Sequence, residues 1–157
     1  MVKKCKNSRD KAILIALYDG GFRVGEFLNI KIGHLEHMDK AISVVVHGKT
    51  GSRNVLMPIA EPYLNRWLEN HPDPRNENYL WVNISNRNYG DPLSYQSLRK
   101  MLKKMKDEAN LGCKVNPHAL RKASATYYAQ HLNKVQLCDR YGWVYGSDMP
   151  RVYIKKS

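Results

Sequence analysis

The chain has 157 residues, 43% apolar and 25% charged, a composition that suits one globular domain with its own core. Its 26 Lys and Arg against 14 Asp and Glu give a formal net charge of +12 and a pI near 9.7, so an anionic partner is expected. Nucleic acid comes first, because basic side chains release counterions from a phosphate backbone; a membrane partner is not expected, since the cations are spread along the chain rather than gathered on an amphipathic helix.

Ser8 is placed to cap a first helix in which Ile13, Ala16 and Leu17 fall at helical spacing and Gly20-Gly21 end the run. Residues 22–28 read as a second, short helix. Arg23 stands directly behind two glycines that permit a sharp turn, and is either held at the edge of a site or left on the surface after that turn. Residues 41–46 are rich in β-branched side chains and pair with residues 54–59 across 48–52, a β-hairpin with Lys49 at its tip. A lysine there either meets a phosphate or protonates a leaving oxygen, or it is a solvated turn residue. Residues 62–70 predict a helix with Leu64, Trp67 and Leu68 inside, a polar loop follows, and residues 79–82 form a short strand or a buried turn.

A helix over residues 95–109 carries Leu98, Met101, Leu102 and Met105 as an apolar stripe, so Arg99, Lys100, Lys103, Lys104 and Lys106 fill the other surface. That surface is a solvated face or a contact with a nucleic acid backbone. Asn116 and Pro117 are N-cap and first-turn residues, which starts a helix there and sets His118 and Arg121 three apart on one face. A helix N-terminus with an arginine fork suits a phosphate. This helix runs to about His131 and is expected at the centre of the core. Residues 135–141 form another helix, ended by Gly142 as a left-handed cap, with Trp143 next. Ser147 and Asp148 cap a last helical turn that bears Arg151 and Tyr153. The fold class is therefore α+β, mainly α. Cys5, Cys113 and Cys138 are odd in number, lie far apart and have no CxxC spacing, which suggests neither a disulfide framework nor a zinc site and fits a reducing cytoplasm; the longest apolar run, residues 12–18, is too short to cross a bilayer.

The segments Asp19-Gly20-Gly21-Phe22-Arg23-Val24-Gly25-Glu26, Gly48-Lys49-Thr50-Gly51-Ser52-Arg53, His118-Ala119-Leu120-Arg121, Gly142-Trp143 and Met149-Pro150-Arg151-Val152-Tyr153 follow one another in a particular order and spacing. That order resembles the tyrosine recombinase (phage integrase) family over essentially the whole chain, and the Gly-Trp and Ser-Asp-Met-Pro wording is most similar to archaeal integrases. The resemblance implies a helical catalytic domain with a small sheet whose hairpin carries the lysine. It implies that Arg23 and Arg121 clamp a scissile phosphate, that Lys49 is the general acid, that His118 assists proton transfer or binds the phosphate, and that Tyr153 is the nucleophile. Trp143 stands where many members have His; its indole N–H donates but relays no proton, so binding and packing are its expected tasks. Glu26 is expected to orient a cation, and Arg53, Arg99, Lys100, Lys103, Lys104 and Lys122 to contact DNA.

The chemistry this resemblance implies is site-specific cleavage and rejoining of double-stranded DNA through a 3′-phosphotyrosyl bond, with no metal ion or cofactor, by a homotetramer on DNA that is a monomer when free. Attack by a phenol places extra negative charge on the non-bridging oxygens, and fixed arginine forks stabilise it. The bond energy is conserved in the covalent adduct, so a 5′ hydroxyl reverses the step. Residues 1–157 are expected to be the catalytic domain alone, without the N-terminal core-binding domain that members usually carry. Type IB topoisomerase-like relaxation and a DNA-binding module that has lost catalysis are the alternatives. Tyr141 and Tyr145 compete with Tyr153, which is preferred because it ends the Met-Pro-Arg-Val-Tyr motif.

Overall fold

Asn7, not Ser8, caps the first helix: its side chain accepts the Asp10 N–H, and α1 runs Ser8–Gly20. The two residues are equally good caps by type, so only the backbone decides between them, and Asn7 is the extended one. Gly21 closes α1 in the left-handed conformation at φ 59°, which returns the chain at once into α2 (Val24–Leu28), with Arg23 at its N-cap. The computed structural model describes residues 7–48 and 51–156, the side chains of 155 and 156 excepted.

The expected hairpin is present as β2 (Ala41–Gly48) and β3 (Gly51–Met57), antiparallel with Gly48 opposite Gly51. Lys49 and Thr50 lie outside the described residues. An edge strand unforeseen in the sequence, β1 (Leu35–Met38), joins β2 to make a three-stranded sheet in the order β1-β2-β3. Its sequence Leu-Glu-His-Met has no β-branched residue and is largely exposed, so pairing with β2 creates it rather than propensity. A 3₁₀ turn at Ile32–His34 precedes it.

Helix α3 (Glu61–Asn70) buries Leu64 and Trp67, and the Trp67 indole N–H donates to Leu80 O at 2.9 Å. Residues 79–82 form a buried turn held by isolated bridges, Lys31 to Tyr79 and Val82 to Pro92. Trp81 stacks on Phe27 with centroids 4.8 Å apart, which ties this turn to α2. Helix α4 (Tyr95–Glu108), capped by Ser94, buries Leu98, Met101, Leu102 and Met105. These elements share the main core.

A second, smaller core lies between α5 (Pro117–Tyr128), α6 (Lys134–Tyr141) and α7 (Met149–Lys156), and consists of Ala125, Tyr128, Ala129, Leu137, Tyr141 and Tyr153. Helix α5 therefore sits between the cores rather than at the centre of one, with α1 on its other side. The last helix is longer than the single turn expected. No helix among the described residues is long and apolar enough to cross a membrane.

The α1 to α2 corner depends on Gly21. A Cβ there would lie 2.5 Å from the Tyr141 ring and 2.8 Å from Ser124 Oγ, on a backbone that L residues rarely adopt. Gly21→Ala is therefore expected to destabilise the chain by about 2–4 kcal/mol. Denaturant unfolding checks this, and a loss below about 1 kcal/mol would show that the corner relaxes.

Candidate functional site

The corner places Arg23 half out in solvent, with its side chain 46% exposed, facing the start of α5. Asn116 caps α5 by accepting the Ala119 N–H at 2.8 Å, and Pro117 occupies the first turn. The cap puts the exposed His118 at the opening of the helix and Arg121 one turn further on. Between these groups lies a cleft of about 750 Å³ lined by Arg23, His118, Arg121 and Trp143. Arg99, Lys114 and Lys122 stand on the same walls, and no Asp or Glu among the described residues does. An anion is the matching occupant.

Each arginine is held differently. Arg121 Nη1 donates to Gly21 O and Nη2 to Tyr141 O, both at 2.6 Å, while its guanidinium lies 5.4 Å from the Tyr141 ring centroid. Burial lowers its pKa to about 10, and the charges of Arg23 and Arg53 push in the same direction. It remains a cation at neutral pH, in a place short of negative charge. Glu26 is the carboxylate that answers. It is buried, accepts the Arg23 N–H at 3.1 Å, and lies 3.6 Å from the Arg23 guanidinium. Arg53 grips it with both Nη groups, Nη2 at 2.9 Å, and donates Nε to Arg140 O at 3.0 Å. Burial alone would raise the Glu26 pKa, but the hydrogen bonds and charge of Arg53, with help from Arg23, bring it below the usual range.

Arg53, grouped with the DNA contacts on sequence, thus turns inward; its side chain is 12% exposed and its donors are taken by Glu26 and Arg140 O. Gly142 lets Arg23 and Arg53 pass closely, since a Cβ there would be 3.1 Å from a nitrogen of each. Gly48, the residue before Lys49, comes to the same place, where a Cβ would lie 2.9 Å from Glu26 Oε2.

Tyr153 is not on the cleft wall. It is buried, and its ring stacks on Trp143 with centroids 5.5 Å apart and planes within 8°. Trp143 also packs at 5.0 Å on Tyr141, so the three rings are layered together, and of them Trp143 lines the cleft. Of the competing tyrosines, Tyr141 is fully buried with its hydroxyl 2.8 Å from Ser124 Oγ, and Tyr145 is exposed with its hydroxyl on Asp139. The basic residues of α4 divide: Arg99 lines the cleft, Lys100 lines a separate shallow groove, and Lys103 and Lys104 are exposed on the helix. Lys114 joins the cleft without having been singled out; its signal was a lysine two residues before the Asn116 cap.

Removing the Glu26 charge tests this arrangement. A carboxylate whose pKa is depressed in the folded state stabilises it above the ordinary glutamate value, here 4.5, and that contribution is lost as pH falls through the lowered value. Glu26→Gln should therefore be less stable than the parent by roughly 1–3 kcal/mol at neutral pH, with the gap closing in acid. Thermal unfolding of both proteins from neutral pH downward measures this, and curves that stay parallel would remove the Glu26 charge from the account.

Comparison with known proteins agrees with this geometry. The profile of the Phage integrase family matches residues 1–157. The tyrosine recombinase XerA of Pyrococcus horikoshii is 36% identical over 130 residues, which cover 81% of this chain and 43% of that protein. The crystal structure of a XerA recombinase superposes with a TM-score of 0.77 at 25% identity, over 94% of this chain and 51% of the other. A XerH site-specific recombinase bound to its palindromic difH substrate, in a post-cleavage complex, superposes at 0.76 with 21% identity, over 99% and 46%. The chain spans less than half the length of the Pyrococcus protein it matches. With a matching profile along its whole length, and with the mainly helical architecture of the recombinase catalytic domains, the chain belongs to the phage integrase family of tyrosine recombinases.

Proposed function

We propose that the chain is the catalytic unit of a recombinase that breaks and rejoins double-stranded DNA at specific sites through a 3′-phosphotyrosyl intermediate. The carrying observation is the cleft that Arg23, His118 and Arg121 line together, with no Asp or Glu among the described residues of its wall, backed by the Trp143 and Tyr153 stack. A phosphodiester seated there meets two guanidinium forks and the N-terminus of α5, which stabilise charge growing on its non-bridging oxygens. Tyr153 Oη gives up its proton, with His118 as the acceptor, and attacks phosphorus; a P–Oη bond forms as the P–O5′ bond breaks, and the departing 5′ oxygen takes a proton from Lys49. Attack by a 5′ hydroxyl on the phosphotyrosine runs the step backwards and joins the strands.

Before attack, Tyr153 has to leave its stack on Trp143 and enter the cleft. The connection from Gly142 to Asp148 contains Gly146 at φ 84°, a position free to re-orient. Arg99, Lys114 and Lys122 at the rim, with Lys100, Lys103 and Lys104 along α4, follow the DNA backbone, while Arg53 acts from behind through Glu26. A homotetramer on DNA and a monomer when free are carried over from the family resemblance. The identity with the Pyrococcus protein supports an archaeal or archaeal-virus source, and the cytoplasm is the setting.

A duplex nicked beside the cleavage site, which loses the 5′ fragment once cut, traps the covalent adduct on a denaturing gel. The parent is expected to form it, Tyr153→Phe to abolish it, and Arg121→Ala to slow it by about 10²–10³-fold. An adduct that persists in Tyr153→Phe would move the nucleophile elsewhere. Relaxation of supercoiled DNA irrespective of sequence and without joint molecules would favour a topoisomerase.

A further inference from the structure

The aim of Arg121 is not its own. Its two carbonyl partners, Gly21 O and Tyr141 O, belong to the end of α1 and the end of α6, so the fork points where the relative placement of those ends directs it. A buried cluster outside the cleft joins the ends. Arg140 Nη2 donates to Asp19 O at 2.5 Å and lies 3.4 Å from Asp19 Oδ1, and its guanidinium sits 3.8 Å from the Tyr128 ring centroid. Asp19 has no exposed surface. Its Oδ2 accepts the Ile59 and Ala60 N–H groups at 2.8 and 2.9 Å, and its Oδ1 accepts the Tyr128 hydroxyl. One carboxylate thus gathers α1, the β3 to α3 corner, α5 and α6.

Arg140 also reaches the opposite side of the cleft. Its carbonyl accepts Arg53 Nε, and Arg53 holds Glu26, which holds Arg23. The guanidinium therefore fixes α6 against α1, and the backbone of the same residue fixes the support of the other arginine.

Stability alone does not explain the pair. Two charges taken out of water are often replaced by packed apolar side chains with no loss of stability. Arg140 Nε is, moreover, buried without a hydrogen-bond partner among the described residues, a further unfavourable contribution. What an apolar pair would not supply is the directed bond from Arg140 to the Asp19 carbonyl, two residues before the Gly21 carbonyl that Arg121 uses.

We propose that Asp19 and Arg140 are positioning residues of the cleft, setting the ends of α1 and α6 so that Arg121, and Arg23 by way of Arg53 and Glu26, keep the separation a phosphodiester needs. This rests on the proposed phosphate-cleaving role of the cleft, and the test separates the two.

Asp19→Leu/Arg140→Met exchanges the pair for apolar side chains, and Arg140→Lys keeps the charge while removing the fork, so that one variant suffices if the other does not fold. In side-chain NMR of the 157-residue chain labelled on arginine, the Arg121 guanidinium protons are expected to be resolved in the parent, held by two carbonyls, and averaged in the variants. In the nicked-duplex assay, adduct formation at saturating DNA is expected to slow about 100-fold, as for a misplaced catalytic group, with little change in half-saturating DNA concentration. If a folded variant keeps resolved Arg121 signals, the proposal is overturned, whatever its cleavage rate. If the parent forms no adduct yet the variants lose those signals, positioning stands and the cleavage reading falls.

Discussion

Three guanidinium groups, those of Arg23, Arg53 and Arg121, share one carboxylate, Glu26, and that imbalance organises the site. Like charges this close repel by an amount that a partly buried setting enlarges, since the effective dielectric there is far below that of water. The protein answers with dipoles instead of further acids: Gly21 O and Tyr141 O on Arg121, and Arg140 O on Arg53. Carbonyls carry partial charge only, so the positive charge is not fully answered; the pKa of Arg121, lowered first by burial, is pushed further down by the charges of Arg23 and Arg53.

The same economy governs Tyr153, the proposed nucleophile. The Tyr153 phenol is stored in the small core, where its ring contributes apolar burial and stacking to the docking of α7. Meanwhile Met149, Val152 and Ile154 on α7 stay exposed, so the helix is held chiefly on its inner side. A helix attached in this way leaves at lower cost than one buried all round. Trp143 then has two tasks that one indole can perform: it lines the cleft and stacks on Tyr153.

Much of this was legible because local signals and tertiary demands coincide. The Asn116-Pro117 start of α5 and the Gly142 left-handed stop of α6 are capping chemistry, and the stripe of α4 is a helical period. Strand β1 was not legible, since an exposed edge strand without β-branched residues takes its conformation from the strand beside it. Arg53 and Glu26 show a second limit: both types are common on surfaces, and only the antiparallel register of β2 and β3 beside α2 turns them toward each other. Asp19 lay within a recognisable segment, but its partner Arg140 is far along the chain, and no spacing rule joins the last turns of two separate helices. The storage of Tyr153 behind Trp143 belongs to the same class, because a motif names the chemistry without the resting position.

We propose that an arginine-lined cleft receives a phosphodiester and that Tyr153, drawn from behind Trp143, becomes bonded to it. Mass spectrometry of the adduct after nuclease and trypsin treatment tests it most directly. The expected result is a 3′-phosphonucleotide on the peptide from Val152 to Lys155. A nucleotide carried instead on a peptide containing Tyr141 or Tyr145 would contradict it.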